Sequence, residues 1–149
     1  MRKYLAILPF LTVIIFSGCF KQKVLREQEA IQIAEYIDTM NKEFDTTTLG
    51  VLYHIDSLGS GERIDIGEFV TMKYSGINLD DDAKYFVKDD SIVFLVGSQY
   101  VLDGWTEVLT HFNRGSRGIA IFPFYAAYGD KRVNTIPPYS TLVFFFYVE

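Results

Sequence analysis

Residues 97–109 read GSQYVLDGWTEVL, and this stretch decides the fold. Its second half opens a single short helix, predicted over residues 105–113. The helix stops at Arg114-Gly115, because glycine suits the left-handed position just past a helix end. On both sides of this helix the apolar pattern has a period of two. Val51, Tyr53 and Ile55 alternate with Leu52 and His54, and Phe69, Thr71 and Lys73 alternate with Val70, Met72 and Tyr74. Further strands are predicted over residues 92–96, 119–122 and 141–148. Many strands with one short helix between them indicate an α+β domain built on an antiparallel sheet.

Upstream the period changes. Ala30, Ile33, Ala34, Ile37, Met40 and Phe44 recur at steps of three and four, which predicts an amphipathic helix whose apolar face packs on the domain or, as the second reading, holds a partner. Asp45 and the triplet Thr46-Thr47-Thr48 end it. Residues 20–28 (FKQKVLREQ) are polar and mixed in charge, and read as a spacer.

The chain has 149 residues, enough for one globular domain, and 49% apolar composition with 16% aromatic supplies a well-filled core. Fourteen Lys and Arg against 19 Asp and Glu give a formal charge of −5. That balance argues against tracking a phosphate backbone, so no nucleic-acid partner is expected. One cysteine, Cys19, rules out an internal disulfide, and with only His54 and His111 beside it a structural zinc site lacks ligands.

Residues 1–19 (MRKYLAILPFLTVIIFSGC) begin with Arg2 and Lys3, continue apolar and end in small residues, the order of a secretory signal. The apolar run over residues 4–16 is 13 long and interrupted by Pro9, too short for a bilayer that needs about 20. The tetrad Phe16-Ser17-Gly18-Cys19 resembles a bacterial lipobox, in which the signal is cut before a cysteine that becomes lipidated. This implies a membrane partner through Cys19 and a place in the cell envelope facing the periplasm, on the outer membrane. Loss of residues 1–18 removes two basic residues and no acid, taking the charge from −5 to −7. Such a body stands off anionic headgroups.

Four segments in order carry a further pattern: residues 70–76 (VTMKYSG), 97–109, 122–129 (FPFYAAYG) and 136–144 (IPPYSTLVF). Together, from about Gly50 to Glu149, they resemble FKBP-type peptidyl-prolyl cis-trans isomerases. The resemblance divides the chain into a signal (1–18), a lipidated cysteine with spacer and helix (19–49), and an FKBP-like domain (50–149). In that domain an antiparallel sheet wraps around the short helix. It implies a monomeric isomerase that assists exported proteins by binding X-Pro segments, with no cofactor and no metal.

Carried over by motif, the peptide pocket falls on Tyr74, Tyr85, Val101, Leu102, Trp105, Tyr128, Ile136 and Phe144. Trp105 would floor the proline ring, with Tyr74 and Phe144 as walls. The N–H of Leu102 and the hydroxyl of Tyr128 would bond the peptide. The chemistry suits such residues: crossing the amide barrier of about 18–20 kcal/mol takes a dry apolar grip and donors for the twisted carbonyl, and no nucleophile.

The chain departs from the family in three places. Family enzymes carry Phe-Asp in the second strand region, whereas Phe86 or Val87 stands in the acid's place here, and Ile92 replaces a common pocket phenylalanine. The turn between Tyr128 and Ile136 is shortened to GDKRVNT. A peptide-binding module of the same fold, without efficient turnover, is therefore the second reading.

Other chemistry is poorly served. Gly59-Ser60-Gly61-Glu62 lacks the third glycine of a dinucleotide loop and reads as a turn. No G-x-S-x-G elbow is present. Asp80–Asp82 with Asp89-Asp90 miss calcium-loop spacing and read as a solvated acidic loop. His54 and His111 read as surface or edge residues.

Overall fold

The structure, a computed structural model, describes residues 8–149, with side chains from Phe20 onward. The start of the segment predicted as an export signal and the Cys19 side chain lie outside the described residues. Two compact units are present, the first ending at Asn41 and the second spanning Lys42–Glu149.

The first unit is one helix, α1 (Leu8–Met40), and it corrects two expectations. Residues 20–28 continue the helix instead of forming a spacer. Lys, Gln, Leu, Arg and Glu dominate this stretch, all good helix formers, and Lys23 reaches Glu27 at 3.9 Å one turn on. The helix also stops at Met40 and not at Phe44. Asn41 turns left-handed (φ 51°) and its N–H donates back to the Asp38 carbonyl, a helix-ending arrangement that asparagine tolerates. Ile33, Ile37 and Met40 follow one side of α1, while Ala30 and Ala34 are exposed. Among the described residues no helix is long and apolar enough to cross a membrane.

The second unit is a six-stranded antiparallel sheet and a short helix. In chain order these are β1 (Asp45–Thr46), β2 (Leu52–Ser57), β3 (Phe69–Asn78), β4 (Lys84–Leu95), α2 (Asp103–Leu109), β5 (Arg117–Phe122) and β6 (Leu142–Val148). The sheet order is β1-β2-β5-β6-β3-β4. β1 starts the sheet five residues before Gly50, and Thr47 closes the turn into β2 by donating its N–H to the Val51 carbonyl at 2.9 Å. β6 reads as a continuous apolar run (LVFFFYV), and its residues are buried or half-buried throughout. A strand covered on both faces has this composition.

One face of the sheet closes on α2. Trp105, Val108 and Leu109 of the helix join Val51, Val70, Phe122, Leu142 and Val148 in a single core. Gly104 makes this approach possible. A Cβ there would lie 2.6 Å from a Val51 methyl and 2.7 Å from the Phe122 ring, closer than carbon atoms pack.

α2 begins two residues earlier than the pattern predicts and ends four earlier, at Leu109. Beyond it the chain tightens into turns, with the N–H groups of His111 and Phe112 donating to the Val108 and Leu109 carbonyls. Gly115 (φ 85°) falls inside the next turn, where its N–H donates to Val148 at 2.7 Å.

Candidate active site

The site grows from the α2 tryptophan. Trp105 is 4% exposed, and its ring meets Phe122 at 5.0 Å, Phe146 at 5.1 Å and Phe144 at 5.2 Å. The last two meet it edge to face, the geometry that ring quadrupoles favour. Above Phe144 stand Tyr74 (centroids 6.1 Å apart) and Phe86 (5.6 Å, near perpendicular). Val101, Leu102, Ala126, Ala127 and Tyr128 pack half-buried on the core that holds these rings. Trp105, Tyr74 and Phe144 are thus in one ring cluster, with Val101, Leu102 and Tyr128 on the same core. Ile136 is buried in the same core, pinned by two reciprocal backbone bonds with Val133 that brace the shortened turn.

Tyr85 is the exception among the residues carried over by motif. It is 51% exposed, with the Lys88 ammonium 5.5 Å from its ring, and its neighbour Phe86 supplies the ring at the site. The cause is backbone phase. Tyr85 opposes Ile77, while a register slip beside Gly76 aims Phe86 inward. Gly76 leaves the space, since a Cβ there would lie 2.4 Å from the Phe86 ring. Val87 follows Phe86, so no acid stands at that position.

An acid arrives from elsewhere. Tyr74 and Asp90 are directly opposed on β3 and β4, so their side chains leave the same face. The Tyr74 hydroxyl is held above its ordinary pKa of 10.0, first by burial, then by the Asp90 carboxylate and by Tyr128. Burial likewise pushes the Tyr128 hydroxyl up. Both hydroxyls therefore keep their protons, and stay able to donate, through the neutral range. The Leu102 carbonyl accepts from the Trp105 N–H at 2.9 Å, while among the described residues the Leu102 N–H has no partner.

Sequence reasoning missed Phe86, Phe122, Phe146 and Asp90. The two β6 and β5 phenylalanines were legible as core only, because ring-on-ring contact with Trp105 depends on strand order. The histidines stay apart from the site: His54 donates Nδ1–H to the Glu43 carbonyl at 2.7 Å, and His111 stacks on Tyr53 at 4.8 Å. Among the described residues no group of three metal-ligating side chains occurs. The larger cavity, about 540 Å³, opens among Lys73, Ser75, Arg117 and Tyr147 and includes neither Trp105, Leu102 nor Tyr128.

Buried rings with the Tyr74 and Tyr128 hydroxyls among the half-buried residues packed on the same core, and a Leu102 N–H without a partner in the described residues, are the parts that gripping a peptide without bonding to it would require. The sequence profile of the FKBP-type peptidyl-prolyl cis-trans isomerases matches residues 60–148. FK506-binding protein 1 of Gibberella zeae is 35% identical over 104 residues, covering 64% of this chain and 93% of that protein. The isomerase FkpA of Escherichia coli K12 is 31% identical over 114 residues, 74% of this chain and 42% of FkpA. The match thus spans less than half of that relative's length. Among solved structures, FkpA from Escherichia coli superposes with a TM-score of 0.65 at 25% identity, covering 99% of this chain and 72% of that one. A peptidyl-prolyl isomerase of Pseudomonas syringae shares the fold with a TM-score of 0.69 at 23% identity, over 85% and 92% of the chains. The chain belongs to the FKBP-type peptidyl-prolyl cis-trans isomerase family.

Proposed function

We propose that this chain isomerises X-Pro bonds in exported polypeptides, with the proline seated on Trp105. The single observation that carries this reading is the Trp105–Phe144–Tyr74 ring cluster, with Leu102 and Tyr128 packed half-buried on the same core. Rotation about the amide requires loss of resonance worth about 18–20 kcal/mol at the barrier. A dry aromatic site disfavours the dipolar planar amide relative to the twisted one, and waiting donors stabilise the twisted carbonyl without reorganising. Tyr85, Val101, Leu102, Ile136 and Phe144 hold the polypeptide, while Tyr128, Trp105 and Tyr74 act at the bond.

Acceleration of X-Pro isomerisation in a protease-coupled assay of the full chain tests the reading; a folded chain without acceleration overturns it. Val87, standing where family enzymes carry an acid, favours a second reading, a peptide-holding module of the same fold. Peptide-dependent change in Trp105 emission without turnover would select it.

The chain is further proposed to act in the cell envelope as a monomer, tethered through lipidated Cys19 after removal of residues 1–18. Stable anchoring takes more than one acyl chain, as lipoprotein processing supplies. Cys19→Ser should leave an uncleaved precursor or a soluble protein. Processing and membrane fractionation like the parent's would refute the anchor.

A further inference from the structure

Beside Leu102 a second depression of about 330 Å³ opens between the start of α2, the turn after β5 and the residues before Gly50. Leu49, Val101, Leu102, Ala126 and Ala127 form apolar walls, and Asp103 brings the only formal charge to the lining. Asp103 is exposed and makes no ion pair among the described residues. The rim is fixed: the Leu49 N–H donates to Glu107 Oε2 at 2.8 Å, which ties that segment to α2.

We infer that this depression is a subsite for one lysine or arginine flanking the proline of a bound polypeptide. The inference rests on the proposed peptide site and extends it, because Val101 and Leu102 border both and Ala127 adjoins Tyr128. Its volume is at the small end of the roughly 300–1,000 Å³ of ligand pockets, room for a side chain more than for a separate ligand. A long basic side chain lays its methylenes on apolar walls while its head stays wet. Here that head would meet the Asp103 carboxylate. Glutamate would face a like charge, and a neutral chain would gain the walls alone. The alanines at 126 and 127 keep the space open, and the acidic excess of the whole chain draws basic segments toward it.

The test is a series of short X-Pro peptides carrying Lys, norleucine, Gln or Glu at each residue beside the proline in turn. Turnover by the full chain is read at low salt. At one position Lys should exceed norleucine by about two- to fivefold in kcat/KM, the range of a solvent-facing ion pair, and norleucine should exceed Glu. Asp103→Asn should erase the Lys-to-norleucine ratio, and 0.5 M salt should shrink it. Ala126→Leu should reduce Lys and norleucine peptides together relative to an Ala peptide. If peptides are turned over with no Lys preference at any position, or if Asp103→Asn keeps that preference, the subsite is wrong while the isomerase reading stands. If nothing is turned over, the isomerase reading fails and the series is read as equilibrium binding by Trp105 emission. Equal affinity for Lys and norleucine there overturns the subsite as well.

Discussion

Tyr74 on β3 stands directly across from Asp90 on β4, on the face of the sheet that carries Phe144 and Trp105. No carboxylate follows Phe86, and the one that acts on the Tyr74 hydroxyl comes from farther along the same strand. A register slip between Tyr74 and Gly76, with Asp89 in a left-handed conformation (φ 51°), brings Asp90 into that phase.

Burial sets an alkaline limit, and at Tyr74 the Asp90 carboxylate adds to it. The Tyr74 and Tyr128 hydroxyls lie above 10.0 in the folded chain, so they hold protons that the unfolded chain releases near pH 10. Their contribution to stability is full below pH 10 and is lost as pH rises through the folded values. Denaturant midpoints should stay flat with respect to these groups from pH 7 to 9.5 and fall above 10. Tyr74→Phe should make the fall shallower. Asp90→Asn should lower the Tyr74 titration, followed by NMR of labelled tyrosine rings; an unchanged titration would break the proposed coupling.

Phe86 and Tyr85 separate by phase alone, and their alanine variants should differ accordingly. Phe86→Ala opens space over Gly76 and Phe144, and should destabilise by about 2–3 kcal/mol, less than a fully buried ring at about 3–5. Peptide affinity should fall with it. Tyr85→Ala removes an exposed ring and should stay within about 0.5 kcal/mol. Chemical denaturation with peptide titration checks both, and equal losses would seat Tyr85 in the ring cluster too.

Much of this was legible in the sequence, for physical reasons specific to each segment. The period-two pattern of β2 and β3 survives because one face of each is solvated, and Gly104-Trp105 marks the closest approach of helix to sheet. Phe86 was missed as a ring of the cluster because a slip of one residue exchanges the faces of a strand, and no local residue type announces the slip. β1 was hidden: two residues, both exposed, carry no apolar signal. The early end of α2 was equally invisible, since Phe112 continues the apolar spacing although its backbone has left the helix.

The hidden β1 changes where the folded unit begins. A chain starting at Lys42 keeps β1, the Lys42–Asp56 ion pair, the Thr47 turn and the Leu49–Glu107 bond. A chain starting at Gly50 loses them all. At about 0.5–1.5 kcal/mol per hydrogen bond, it should unfold about 2–4 kcal/mol more easily than the longer chain. Urea titration of the two truncated chains measures the difference, and equal midpoints would show that residues 42–49 contribute nothing to stability.

Trp105 is the chain's one tryptophan, so its emission reports the site without interference. Its ring is packed against Phe122, Phe144 and Phe146, so a proline bound at this cluster should alter the emission intensity. Trp105→Ala would leave a cavity and destabilise by about 3–5 kcal/mol, which confounds any loss of activity. Trp105→Leu fills more of that space and is the better variant: it should fold, yet lose most peptide turnover. Tyr128→Phe keeps the ring and removes one donor. The twisting carbonyl gains little charge, so the loss should be near one ordinary hydrogen bond, about 1 kcal/mol or roughly fivefold in kcat/KM, and well short of an oxyanion donor's about 2.7–4 kcal/mol. Stability measured beside turnover separates these effects. If folded Trp105→Leu isomerises as fast as the parent, and saturating peptide leaves parental emission unchanged, the ring cluster is core alone and the peptide binds elsewhere.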